Sequence, residues 1–184
     1  PIGSRGTIEA IPGRRFGDIW GLGYERNADG EIIYADGIPV LAQESTYIGN
    51  PNPTTKFGWG NEFKYKGFRF NFLFDGQFGG VGYSLTHAVL MEEGKLKKTL
   101  PGRYNGIIGD GVVLNPDGSY SKNTVVAEAG DYYARHFNRD NIESNTFSTD
   151  FIKLREVRLD YSLPKSFLSR YKIEKASIGV YGRD

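Results

Sequence analysis

The chain has 184 residues, enough for one domain with a sizeable core, and balances 23 basic against 22 acidic residues for a formal net charge of +1. That balance, with no basic run or stripe, gives nucleic acid no electrostatic reason to bind; the lack of cysteine removes disulfides, thiolate metal sites and a cysteine nucleophile. Twelve Phe, twelve Tyr, two Trp and 25 Gly suit strands and turns better than helices. No run approaches ~18 consecutive apolar residues, which excludes a transmembrane helix; a mean hydropathy of −0.45 leaves a transmembrane strand open, because alternation hides such a strand from an average.

In chain order, RRFGDIWGLGY at 14–24 places Phe16, Trp20, Leu22 and Tyr24 on one parity and mostly glycines on the other, which predicts a strand. Residues 25–54 are rich in turn signals, NADG, ADG and GNPNP, and read as a loop. TTKFGWGNEFKYKGFRFNFLFDGQFGG at 54–80 then predicts two long strands, 55–65 and 68–79, joined only by Lys66-Gly67. A two-residue turn with Gly at its second position sets Tyr65 opposite Phe68 and fixes the rest of the register: Phe63 with Phe70, Asn61 with Phe72, Trp59 with Phe74, Phe57 with Gly76. On the other face Lys64 meets Arg69, Glu62 meets Asn71, Gly60 meets Leu73, Gly58 meets Asp75 and Lys56 meets Gln77. Residues 80–150 form a long irregular stretch rich in Gly and Asn, of a length that is usually functional or disordered. Alternation resumes at 151–163, with Val157, Leu159, Tyr161 and Leu163 on one side, until Pro164 stops it. PKSFLSRYK holds a helical turn, and a last strand over 174–182 puts Ala176, Ile178 and Val180 on one side.

The aromatic row Phe57, Trp59, Phe63, Tyr65, Phe68, Phe70, Phe72, Phe74 and Phe78 faces either a second sheet or membrane hydrocarbon. Alternation alone fits both, so a soluble all-β module, such as a cell-surface glycan-binding sandwich, is the alternative reading. Strand length and loop asymmetry favour the membrane. About 11 residues at about 3.4 Å each, tilted by about 40°, cover roughly 28 Å, close to the thickness of bilayer hydrocarbon. The connections alternate between very short and very long, as short periplasmic turns and long extracellular loops do in outer-membrane barrels.

IGNPNPTTKFGWGNEFKYKGFRFNFLFDGQFGG at 48–80, GRYNGIIGDGVVLNPDGSY at 102–120, FIKLREVRLDYSLPKSF at 151–167 and ASIGVYGRD at 176–184 resemble the C-terminal barrel region of the SusC/RagA family of TonB-linked outer-membrane receptors. The resemblance implies an all-β fold: antiparallel transmembrane strands, the C-terminal fragment of a barrel of about 22 strands, with 25–54 and 80–150 as extracellular loops, in the outer membrane of a Gram-negative bacterium. It further implies import of glycan oligosaccharides or peptides, a SusD-like surface lipoprotein as partner, and energy from TonB acting on a plug that lies outside this sequence. The chain opens on PIGSRG and stops at YGRD, which reads as a piece of such a receptor.

No cofactor and no catalytic group is expected. His87 and His136 lack ligand-spaced companions, so no metal site is expected. GLG at 21–23 lacks a dinucleotide-binding context and reads as small lumen-facing wall. NADGE and NPDGS read as turns rather than calcium loops. Glu156 and Asp160, with Arg158 between them, read as a charged stripe rather than a hydrolytic pair. The candidate binding residues are the loop side chains Tyr104, Tyr120, Tyr132, Tyr133, Arg135, His136 and Phe137, rings beside a guanidinium that suit stacking on sugars or anchoring a partner protein.

Overall fold

The computed structural model describes residues 5–184, and the chain divides into two compact units: Pro53–Gly80 with Thr149–Asp184, and the remainder up to Asn52 with Val81–Ser148. In chain order the strands are β1 (Thr7–Glu9), β2 (Asp18–Gly21), β3 (Ile33–Ala35), β4 (Ile38–Pro39), β5 (Thr46–Gly49), β6 (Thr55–Tyr65), β7 (Phe68–Phe78), β8 (Val81–Tyr83), β9 (Val112–Leu114), β10 (Tyr120–Lys122), β11 (Thr146–Ser148), β12 (Phe151–Ser162) and β13 (Ser177–Arg183). Helices α1 (Leu85–Glu92), α2 (Ala129–His136) and α3 (Lys165–Leu168) and the 3₁₀ turns Lys97–Thr99, Glu143–Asn145 and Ser169–Tyr171 complete the set among the described residues, and no helix is long and apolar enough to cross a membrane.

One unit is a four-stranded antiparallel sheet of order β13-β12-β7-β6. The β6–β7 hairpin has the register that its turn dictates, Tyr65 with Phe68 through Thr55 with Phe78. Lys66 and Gly67 both take positive φ, 45° and 89°, as a type I′ turn demands when it matches the twist of its flanking strands. Strand β12 adds to β7 with Tyr161 opposite Phe68, Leu159 opposite Phe70 and Val157 opposite Phe72. A bulge then makes Arg155 the extra residue, so that Leu154, on the other parity, meets Phe74. The bulge reconciles a sequence whose apolar positions switch from even (Ile152, Leu154) to odd (Val157, Leu159, Tyr161), and the apolar face continues unbroken. The two short connections, Lys66-Gly67 and 163–176, leave the sheet at one end, and the chain departs from the other end before Thr55, after Phe78 and before Phe151.

The second unit contains sheets β1-β2-β5, β10-β9-β3-β4 and β11-β8, with α1 and α2. Its small apolar core joins Met91 of α1 to Ala129 and Tyr133 of α2, with Ile107, Tyr132 and Phe137 packed against them. Buried asparagines provide much of the remaining order. Asn145 Nδ2 donates to the carbonyls of Phe137, Asn138 and Asn141, Asn50 bridges the Phe16 carbonyl and Asp18, and Asn123 holds the Gly109 carbonyl.

Three expectations differ here. The strand expected over 14–24 shrinks to Asp18–Gly21 and pairs with β1 and β5 instead of joining the long sheet. Gly13 and Gly17, at φ 83° and 89°, bend the chain before it, and Leu22 and Tyr24 form only isolated bridges, to Asn141 and Leu41. The loops at 25–54 and 80–150 are not irregular throughout but carry short strands and two eight-residue helices. The last strand begins at Ser177, because Lys172 adopts a left-handed conformation (φ 57°) that ends the helical connection and delays the extended chain.

Candidate functional site

The long sheet has two chemically distinct faces. On one, Trp59 stacks on Phe74 (centroids 6.2 Å) and meets Phe72 edge-on (5.0 Å), Phe63 stacks on Phe70 (6.5 Å), Phe57 on Phe78 (5.9 Å), and Phe68 packs on Tyr161 (4.5 Å). These rings form a continuous row, yet Trp59 is 56% exposed, Tyr65 69%, Ile178 69% and Val180 72%. Phe72 and Phe74 are half-buried, by their ring neighbours in the same row. No second layer within this unit covers the face, so the unit lacks the packing that a soluble sandwich requires.

The opposite face is charged and internally paired. Arg155, carried out of the ladder by its bulge, donates from Nε to Asp75 (2.7 Å) and from Nη1 to Asp184 (3.2 Å), and Lys153 lies 3.7 Å from Asp184. The Lys153 and Arg155 cations also stand over the Phe151 ring at 5.5 and 5.7 Å, which explains an aromatic residue on this side. Arg158 Nε donates to Asp160 (2.7 Å), whose carboxylate is buried against β13. Gly179 lies directly across from Asp160, where any Cβ would collide with that carboxylate. Glu62 pairs with Lys64 and lies 3.7 Å from Arg69. Thus Asp160 is an ion-pair partner of Arg158 rather than half of a hydrolytic pair with Glu156.

The loop candidates separate. Tyr104 is fully displayed, at 99% exposure; Tyr120, on β10, and Arg135, on α2, are also exposed. Tyr133 is mostly buried, a core residue of α2 whose hydroxyl donates to the Pro101 carbonyl (3.3 Å). Tyr132 and Phe137 flank the same core, and His136 is enclosed by Phe137 (4.3 Å), Tyr132 (5.1 Å) and Tyr24 (5.1 Å). Burial pushes the His136 imidazole down to about 4, so it is neutral at pH 7, and its Nδ1 has no hydrogen-bond partner. The same desolvation pushes the phenols of Tyr24 and Tyr34 up. The helical period of α2 explains the sorting: Ala129 and Tyr133, four apart, face inward and Arg135 outward. His87 serves the fold, its Nδ1 2.9 Å from Asn145 Oδ1.

Gly21, the last residue of β2, and Gly23 lie outside the long sheet. Both are buried where the chain passes Ile142 and Glu143, and a Cβ at either would run into those side chains. Glu143 accepts the Tyr24 amide (2.9 Å) and pairs with Arg26 (2.6 Å). Among the described residues no group of three or more His, Asp or Glu could hold a metal ion. Sequence reading missed the Arg155 network and the Asp160–Gly179 contact. The parity switch inside FIKLREVRLDYS is the signal from which the first could have been found.

No protein-family model matches the chain. A curated relative, TonB-dependent receptor P39 of Formosa agariphila, is 33% identical over 147 residues, 77% of this chain and 13% of that receptor. Among solved structures, the RagAB peptide importer in its closed-closed state superposes with a TM-score of 0.58 over 98% of this chain and 21% of that one; at 17% identity this likeness concerns the fold. The chain therefore spans a small part of the length of the proteins it matches.

Proposed function

Because the chain is part of a TonB-dependent receptor of the SusC/RagA type, we propose that β6, β7, β12 and β13 are four adjacent wall strands of an outer-membrane barrel through which the complete protein imports nutrients. The ringed face lies in hydrocarbon, the charged face lines the lumen, and the long insertions are extracellular. The observation that carries this is the pairing of an uncovered aromatic face with a charged, ion-paired face on strands of 11 and 12 residues. A strand in lipid needs its backbone groups paired by neighbours, which the two inner strands have here and the outer two would find in the rest of the barrel. The charges on the inner face keep the wall wet, and the ion pairs of Asp75, Asp160 and Glu62 hold most of its carboxylates in place.

In this reading the imported material is an oligosaccharide or a peptide, a SusD-like lipoprotein closes the extracellular mouth, and TonB supplies the energy. Tyr104, Tyr120 and Arg135 are the loop side chains placed to touch substrate or partner. Support comes from the TonB-dependent relative and from the fold neighbour, which is itself described as a peptide importer. Uptake of labelled oligosaccharide and peptide pools by cells carrying the complete receptor, with and without TonB, tests the proposal. Energised uptake that disappears with TonB is expected, and uptake indifferent to TonB would contradict it.

A further inference from the structure

The connection between β12 and β13, residues 163–176, is more than a turn. Lys165–Leu168 form one turn of α-helix, Ser169–Tyr171 continue as a 3₁₀ turn, and Ile173 bonds back to the Leu168 carbonyl (3.2 Å), closing a compact knot on a buried Leu168. The apolar face of the sheet runs directly into it. Leu159 pairs with Val180 and Tyr161 with Ile178, and the Leu163 amide donates to the Ala176 carbonyl (3.0 Å), which continues the same row by one further rung.

Beyond that rung the row opens into a cavity of about 720 Å³, with Leu163, Leu168, Ile173 and Ala176 among its lining residues and Lys165 and Lys175 at its margin. Neither lysine has an ion-pair partner among the described residues, and Glu174 is the acid on the same margin. Phe167 and Tyr171, 54% and 60% exposed with centroids 5.6 Å apart, stand beside it, and Arg170 and Lys172 add positive charge along the segment. Exposed aromatic residues mixed with basic ones at the end of a lipid-facing strand pair are what the headgroup region of a membrane selects.

We propose that this cavity holds a phospholipid with an anionic headgroup, its phosphate between Lys165 and Lys175 and an acyl chain laid along Leu163/Ala176, Tyr161/Ile178 and Leu159/Val180. The proposal rests on the reading of the ringed face as lipid-facing. The commitment to a membrane lipid comes from continuity, since a soluble phosphate would use the two lysines but leave the apolar floor and the row behind it uncovered. The lipid fixes the depth of the barrel at its short-turn end, where Lys66 of the neighbouring hairpin presents a further cation.

The test uses the complete receptor in phosphatidylcholine vesicles with a bimane fluorophore at Phe167→Cys, an exposed position beside the cavity. The vesicles are titrated with brominated phosphatidylglycerol or brominated phosphatidylcholine. Half-maximal quenching should need several-fold less of the anionic lipid, roughly fivefold per lysine at most. The variants Lys165→Gln and Lys175→Gln, both at exposed positions, should each reduce the preference and together abolish it. Equal quenching by the two lipids, no quenching by either, or a preference that survives the double substitution would overturn the proposal. The same fluorophore at Ile178→Cys separates the two levels of inference. Quenching there by both lipids, with no charge preference at 167, sinks the lipid site alone, whereas no quenching at 178 sinks the lipid-facing reading itself.

Discussion

Phe72 and Leu73 are neighbours on β7 and face opposite ways, so they compare the two faces at one depth. Phe72 is four residues from the Phe68 end of the strand and six from the Phe78 end. At about 3.4 Å per residue and a tilt near 40° this places it about 10 Å from one edge of the band and about 16 Å from the other, close to the midplane. Arginine on the lipid side at that depth costs about 2–4 kcal/mol. Phe72→Arg also removes a ring that meets Trp59, Phe63, Phe70 and Phe74, each contact contributing about 0.5–1.5 kcal/mol and not additively, so a total of order 4–6 kcal/mol is expected. Leu73→Arg places the same guanidinium directly across from Glu156, on the charged face, and should cost less than about 1 kcal/mol. Guanidinium titration of the reconstituted complete receptor, followed by the intrinsic fluorescence change, reads the difference. Equal costs at 72 and 73, or a larger cost at 73, would refute the assignment of the faces.

Asn61 is the polar exception in the ringed row, opposite Phe72, and Asn61→Leu should stabilise the reconstituted receptor by about 1–3 kcal/mol in the same titration; a loss would show that the amide has a partner there. In the hairpin turn, Lys66→Asn suits φ 45° better than lysine and should add a few tenths to about 1 kcal/mol, while Gly67→Val, at φ 89°, should cost more than that; midpoints shifted the opposite way would contradict the turn assignment. Asn145→Ala leaves the Phe137 carbonyl and His87 without their partner, while the Asn138 and Asn141 carbonyls keep the Asn141 amide and the Ser144 hydroxyl, and should destabilise the second unit by roughly 2 kcal/mol, seen as faster proteolysis between 129 and 148 on intact cells; unchanged cleavage would remove the asparagine from its structural role. His136 is neutral when folded, with its pKa held below the ordinary value near 6.5 at about 4, so the unfolded chain takes up the proton first. Stability of the second unit is full above about pH 6.5, falls as pH drops from there towards 4 by roughly 3 kcal/mol, and is flat below. Amide exchange in α2 at pH 7 and pH 5 measures this, and a pH response that persists in His136→Phe would assign it elsewhere.

The long sheet was legible because its two signals reinforce each other. A period of two assigns faces, and a two-residue turn locks Tyr65 to Phe68, from which each later pair of the hairpin follows. The bulge at Arg155 was less visible, since a parity switch within one strand looks like an interruption of the pattern until a partner strand shows which residue is extra. The second unit was hardly legible at all. Its order comes from single asparagines bonding to distant carbonyls and from Gly21 and Gly23 passing close to Ile142 and Glu143, contacts with no period along the chain. For the same reason Tyr104 and Tyr133 looked alike as loop tyrosines, and only the packing of α2 on α1 distinguished a displayed ring from a core one.

The central assignment of the two faces is tested most directly by a nitroxide scan of β7 from Phe68 to Phe78 in the complete reconstituted receptor, one position at a time, measuring relaxation by oxygen and by a water-soluble nickel chelate. Oxygen accessibility should peak at 68, 70, 72 and 74 and nickel accessibility at 69, 71, 73 and 75, with the alternation in antiphase. Rings as accessible to nickel as their neighbours, or shielded from both reagents, would contradict a wall with lipid on one side and water on the other.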